Sequence, residues 1–271
     1  MSQITVEANG ARLYAVEEGS GEPLVFVHAG IADSRMWQAQ TEHFADRYRV
    51  IRYDMRGYGQ SPPVDGEFRP HDDLRAVLDH FGVESAHVVG CSMGGSAALD
   101  FALDAPERVR SLTLVCSLPN GYEGDPDDFE EPEEWPQAVE AWKAGDDEAM
   151  LNFEARYWLA GAGRTLDEID PDVVALLMDM NRIALTNERN DLGTRVTLEP
   201  AAAARLRALR PPLLAITGAH DEPFTDKAWN ALIEQVPQGR KVRMEGVAHL
   251  PSMERPDAFN RVLEAFLTEH G

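Results

Sequence analysis

Long apolar runs are missing from this chain. None of its 271 residues lie in a stretch near the ~18 consecutive apolar positions that a membrane-spanning helix needs, and no basic-then-apolar leader follows Met1. A soluble, cytoplasmic protein is the expectation. Lysine is almost absent, occurring only at Lys143, Lys227 and Lys241, and 25 basic residues face 47 acidic ones for a formal charge of −22. Such a field repels phosphate backbones and anionic lipid headgroups, so neither nucleic acid nor a membrane surface is expected as a partner. Most of these charges are read as solvated faces.

Cysteine is scarce as well. Cys91 and Cys116 fall at the ends of expected neighbouring strands and are close enough to pair, but reduced thiols are the default for a chain of intracellular character. No group of Cys, His and carboxylates has metal-ligand spacing, so no metal or other cofactor is expected.

What is present is chemistry at turns. In Val88-Val89-Gly90-Cys91-Ser92-Met93-Gly94-Gly95 a serine stands between glycines directly after an apolar run, the pattern G-x-S-x-G. If a buried strand ends at Gly90 and a helix begins at Met93, Ser92 occupies the tip of a turn so tight that only glycine tolerates the backbone approach on either side. Its hydroxyl then lies at the positive end of the helix, where free N–H groups favour a developing negative charge. Cys91, one residue before that tip, points away from it and is read as core filling.

A serine hydroxyl needs a base to act as a nucleophile, and the base needs an acid to orient it. Lys241-Val242-Arg243-Met244 reads as a short strand followed by Glu245-Gly246-Val247-Ala248-His249-Leu250-Pro251, which makes His249 the candidate base. Upstream, Leu213-Leu214-Ala215-Ile216-Thr217-Gly218 is a buried strand with Asp221 three residues beyond its glycine. Asp221 is the candidate acid, and Glu222 and Asp226 are its nearby substitutes. For the oxyanion, Leu24-Val25-Phe26-Val27 leads into His28-Ala29-Gly30, whose Gly30 N–H pairs in this reading with the N–H of Met93. His28 is given a structural role in that loop, and His220 an incidental one.

These pieces, with the turn Asp54-Met55-Arg56-Gly57-Tyr58-Gly59-Gln60-Ser61, resemble the α/β-hydrolase superfamily in motif and in order along nearly the whole chain. The serine-acid-histidine order is that of the superfamily. One departure is Ala29, where the family usually has glycine. The resemblance implies a mostly parallel eight-stranded sheet with helices on both faces and a helical cap. It also implies hydrolysis through an acyl-enzyme on Ser92.

The hydrophobic pattern predicts strands over 4–7 and 12–17 around an Asn9-Gly10 turn, then over 24–27, 49–53, 87–90, 111–115, 213–217 and 241–244. Helices are predicted over 36–45, 72–81, 93–105, 225–235 and 256–269. Residues 1–117 and 211–271 form the expected core, and 118–210 the expected cap. The cap opens with eight carboxylates between residues 121 and 134, read as a mobile or solvated loop, and continues into helices carrying Trp135, Trp142, Phe153, Tyr157 and Trp158. These aromatics are read as cap core. Arg156, Arg182 and Arg189 are candidates for a substrate carboxylate, with surface ion pairs as the commoner fate.

Carboxylic esters and lactones are the leading substrates, by likeness to the small esterase and enol-lactonase branch. Carbon–carbon bond hydrolysis, cofactor-free perhydrolysis and a non-catalytic ligand receptor remain alternatives on the same residues. A monomer or homodimer acting on a small molecule is expected.

Overall fold

The computed structural model describes residues 2–124, 132–190 and 192–271. In chain order these form β1 (Ser2–Ala8), β2 (Ala11–Glu18), β3 (Glu22–Val27), α1 (Gln38–Phe44), β4 (Tyr48–Tyr53), β5 (Glu67–Phe68), α2 (Pro70–His80), β6 (Ala86–Cys91), α3 (Met93–Asp104) and β7 (Val109–Val115). There follow α4 (Trp135–Lys143), α5 (Asp147–Glu154), α6 (Pro171–Glu188), β8 (Thr194–Arg195), β9 (Leu213–Gly218), α7 (Pro223–Leu232), β10 (Gly239–Met244), α8 (Pro251–Glu254) and α9 (Pro256–His270).

Eight strands make one sheet in the order β1-β2-β4-β3-β6-β7-β9-β10. The β1–β2 hairpin closes Ala8 onto Ala11 with Asn9 and Gly10 both at positive φ, the backbone that an Asn-Gly pair favours. β2 meets β4 antiparallel, and every later pairing in the sheet is parallel.

Side chains alternate across this sheet with period two, so each strand feeds two cores. Val25, Val27, Ile51, Tyr53, Val88, Leu112 and Leu114 face one layer with Leu74 and Leu78 of α2, Leu99 and Phe101 of α3 and Trp229 of α7. Leu24, Phe26, Val50, Val89, Val115 and Ile216 face the other, against Phe44 of α1 and Phe259, Leu263 and Leu267 of α9. Both faces are thus covered, which is why the central strands read as continuous apolar runs.

The helix after β3 starts later than the pattern predicts. Asp33 accepts a hydrogen bond from the Arg35 N–H and caps a 3-10 turn, Ser34–Trp37, before α1 begins. The short parallel pair β5–β8 was not predicted either, because two residues carry no readable periodicity.

Between β7 and β9 the chain leaves the sheet. Its acidic opening falls mostly on residues 125–131, outside those described. α4 and α5 pack through Ala138, Met150, Leu151 and Phe153, with Trp135, Trp142 and Tyr157 around them, and Leu185 of α6 joins this small core. Glu154, last in α5, is partly buried and accepts a hydrogen bond from the Asn181 side chain of α6 at 2.6 Å. Burial, outweighing that bond, raises its carboxyl to about 7. The native state therefore holds a proton that an unfolded Glu releases above its usual value, so this group costs stability above about pH 7 and stops costing it below pH 4.5. Glu154→Gln keeps the acceptor for Asn181 and removes the charge. It is expected to stabilise by on the order of 1–3 kcal/mol at pH 8. The gain should vanish near pH 4.5, read by urea unfolding at both pH values.

Candidate active site

The turn after β6 has the backbone that a nucleophile tip requires. Ser92 sits at φ 51°, ψ −120°, a conformation that L residues rarely adopt, with its N–H bonded to the Val115 carbonyl at 2.8 Å. Space explains the flanking glycines. A Cβ on Gly90 would meet the Gly94 carbonyl oxygen at 2.4 Å, and one on Gly94 would meet the His28 carbonyl oxygen at 2.3 Å. β6, α3 and the loop after β3 touch backbone to backbone at this point. Ser117, just beyond β7, donates its hydroxyl to the Ser92 carbonyl at 2.7 Å and holds the turn from below.

The sheet then brings the loops after β9 and β10 alongside. His249 Nδ1 lies 2.8 Å from Asp221 Oδ1, and both side chains are buried. The substitutes for the acid are engaged elsewhere: Glu222 accepts the Tyr157 hydroxyl at 2.6 Å, and Asp226 pairs with Lys241 at 2.6 Å. The Cys91 thiol, one residue before Ser92, contacts the His249 carbonyl at 3.7 Å, so the histidine loop runs directly beside the turn.

On the other side, Gly30 faces Met93, since a Cβ on Gly30 would stand 3.6 Å from the Met93 sulfur. Met93 opens α3, and its N–H lies among those that a helix leaves without an internal acceptor. His28 is fully buried, accepts the Met55 N–H on Nε2 at 2.9 Å and therefore donates from Nδ1 to the Ala29 carbonyl at 2.8 Å. Burial lowers its pKa and keeps the ring neutral, as that pattern of one acceptor and one donor requires. His28 thus ties the loop after β3 to the turn after β4, and Asp54 completes the tie by accepting from the Ser34 and Gln60 N–H groups, each at 2.8 Å.

A family model described as alpha/beta hydrolase fold matches residues 22–256. The chain belongs to that family. It is 30% identical to the RutD protein of Azorhizobium caulinodans, provisionally named a carbamate hydrolase, over 96% of each chain. It is 25% identical to 3-oxoadipate enol-lactonase 1 of Acinetobacter baylyi, over 90% of this chain and 88% of that one. Among solved structures it is similar to a thermophilic esterase from Thermogutta terrifontis, at TM-score 0.79 and 22% identity over 100% of both chains.

In this alpha/beta hydrolase the histidine loop is also held from the segment between β7 and β9, through residues that sequence reasoning missed. Glu254 of α8 accepts the Ala248 N–H at 2.9 Å and the Leu250 N–H at 3.3 Å, bracketing His249. Arg164 pairs with Glu254 at 2.6 Å and donates to the carbonyls of Leu159, Ala160 and Gly246. Trp158 was read as cap core, yet its carbonyl accepts the His249 N–H at 3.1 Å and its ring stands 4.4 Å from the imidazole. No sequence signal separated it from its neighbours: Tyr157 stacks on Phe153, and the Trp158 ring meets Tyr157 edge-on at 4.6 Å.

Cys116 also gathers here, its ligating atom and one each from Asp221 and His249 lying within 4.8 Å of one another. Sequence spacing gave no hint of this cluster. Burial, and then Asp221, pushes the Cys116 thiol well above its usual pKa. Both cysteines are free and buried. Arg156, Arg182 and Arg189 turn to Glu134, Glu148 and Asp147 on the surface rather than to the site.

Removing one partner of a buried pair strands the other charge. Arg164→Met is expected to cost about 3–5 kcal/mol in denaturant unfolding, and Arg164→Lys to recover part of the loss. An unchanged midpoint in the methionine variant would show that Glu254 holds the loop without Arg164.

Proposed function

We propose that this alpha/beta hydrolase cleaves carboxylic esters or lactones through an acyl-enzyme on Ser92, with residues 118–210 as a cap over the site. The buried 2.8 Å contact of His249 with Asp221, beside a serine held at positive φ, is the observation that carries this reading. His249 removes the Ser92 proton as Oγ attacks the carbonyl carbon. The developing oxyanion is met by the N–H groups of Gly30 and Met93, where losing one such donor costs about 10²–10³ in turnover. His249 then protonates the departing alkoxide, and the mirror sequence with water releases the acid and restores the serine. Asp221 on Nδ1 leaves Nε2 as the basic nitrogen and stabilises the imidazolium as it forms.

Relatives whose names carry enol-lactone and methyl ester hydrolysis support the substrate class, and a serine at the turn argues against the aspartyl-ester chemistry of epoxide hydrolysis. Among the described residues no helix is long and apolar enough to cross a membrane. A cytoplasmic monomer or homodimer that binds no nucleic acid is part of the proposal, supported by the charge of −22.

Hydrolysis of p-nitrophenyl butyrate and simple lactones by the wild type, Ser92→Ala and Asp221→Asn tests it. The serine variant is expected to lose activity to background, and the asparagine variant to retain ~10⁻³–10⁻⁴ of kcat by setting the wrong imidazole tautomer. Turnover that survives in Ser92→Ala would remove the serine from the mechanism. Wild-type inactivity on every ester and lactone would shift the reading to carbon–carbon hydrolysis or to ligand binding without turnover.

A further inference from the structure

A cleft of about 290 Å³ opens between the turn after β4 and the end of α6, walled by Gly57, Tyr58, Phe68, Asn187, Glu188 and Arg195 among others. Arg56, Tyr58, Phe68 and Arg195 also wall a narrow void of about 10 Å³ that reaches Met93. The cleft therefore leads toward the residue whose N–H is assigned to the oxyanion. Tyr58 forms the passage: it is 8% exposed, its ring lies 5.0 Å from His28, and its hydroxyl lies 3.7 Å from the Met93 sulfur.

Arg195 stands at the far end of this line. It donates to the Tyr58 hydroxyl at 2.8 Å, using one of its five N–H groups. Its charge is unbalanced in a way its neighbours' are not. From residue 156 to residue 195 the chain has five arginines, and Arg156, Arg164, Arg182 and Arg189 each pair with a carboxylate. Arg195 alone of these has no carboxylate within ion-pair distance among the described residues, although the chain carries 47 acids. Glu188 shares the cleft and does not close on it. Arg56, the other cation in the wall, is already spent on a buried two-point contact with Asp73 at 2.6 and 2.7 Å.

The position of Arg195 is also built. β8 pairs with β5 so that Arg195 lies opposite Phe68, and Val196 N–H continues the ladder to the Phe68 carbonyl at 2.8 Å. Asn187 of α6 donates to the Gly57 carbonyl at 2.9 Å, fixing the facing wall beside Tyr58. The backbone of Arg195 is thus held at the cleft rather than swinging on a free loop, and the Tyr58 hydroxyl steadies its exposed side chain.

We propose that Arg195 is a specificity-determining residue that receives a carboxylate carried by the substrate several bonds away from the scissile carbonyl, with Tyr58 orienting the guanidinium. This rests on the ester or lactone hydrolase reading and names its substrate class: an ester or lactone with a remote carboxylate. A planar fork of N–H donors in a partly enclosed cleft suits a two-point contact with such a group.

Two substrate pairs, each differing only by methyl against carboxylate, test it. Monomethyl glutarate against methyl pentanoate places the carboxylate on the acyl side, and 4-acetoxybutyrate against butyl acetate places it on the alcohol side. In the wild type one anionic ester is expected to be favoured in kcat/KM over its neutral partner. Arg195→Gln should cut that ratio by about tenfold or more, mainly through KM, and Arg195→Lys by less. A neutral preference in both pairs, or a ratio that Arg195→Gln leaves unchanged, would overturn the proposal. Calorimetric binding of glutarate to wild type and Arg195→Gln reads the arginine without turnover, with at least tenfold weaker binding expected in the variant. Arg195-dependent glutarate binding without any Ser92-dependent hydrolysis would sink the hydrolase reading and leave the carboxylate site standing. Equal glutarate binding by both proteins would sink the site itself.

Discussion

Close backbone approach around Ser92 is the constraint on which the rest of the site depends. Gly90 and Gly94 let β6, α3 and the loop after β3 meet within distances that no Cβ permits. Ser92 sits at positive φ at this contact. The contact also sets Gly30 against Met93, because the same loop that touches Gly94 through the His28 carbonyl continues into Gly30. One packing event thus positions the candidate nucleophile and both candidate oxyanion donors. Strain of order 1–3 kcal/mol at such a residue persists only when its surroundings over-determine it. Here the Val115 carbonyl, the Ser117 hydroxyl and the first turn of α3 all hold the Ser92 main chain.

The second theme is polar machinery buried behind the candidate site. His28, Asp54 and the Arg56–Asp73 pair are nearly inaccessible, and each satisfies main-chain groups of loops that would otherwise be free to move. Glu254 of α8 does the same for the histidine loop, with Arg164 reaching it from the segment between β7 and β9. The apolar layers on the two sheet faces supply bulk stability, whereas these pairs supply direction. Buried ions are costly to desolvate, so their concentration around the loops at one edge marks where position matters more than stability.

Much of this was legible in the residues because its causes are local. Continuous burial needs only that both sheet faces be covered, so 24–27, 87–90 and 213–217 read as buried strands and are buried strands. Asn9-Gly10 announces its hairpin because both residues tolerate positive φ. β5 and β8 were invisible, since a two-residue pairing across a separation of more than 120 positions leaves no periodic trace. Trp158 packs against His249 as well as its cap neighbours because hydrophobicity marks a ring for partial burial without saying what it meets.

The sequence by itself determined the elements and the short list of reactive groups: Ser92 between glycines, one histidine in the loop after the last strand, and three carboxylates after the strand before it. Backbone sterics and side-chain periodicity act within a few residues, so they are written into neighbouring letters. Only the tertiary structure decided that Asp221 rather than Glu222 or Asp226 meets His249, that Trp158 lies against that histidine, and that Arg195 stands at the cleft with no carboxylate among the described residues within ion-pair distance. Those choices depend on which loops pass one another at the sheet edge, where side chains far apart in the chain compete for the same few ångströms.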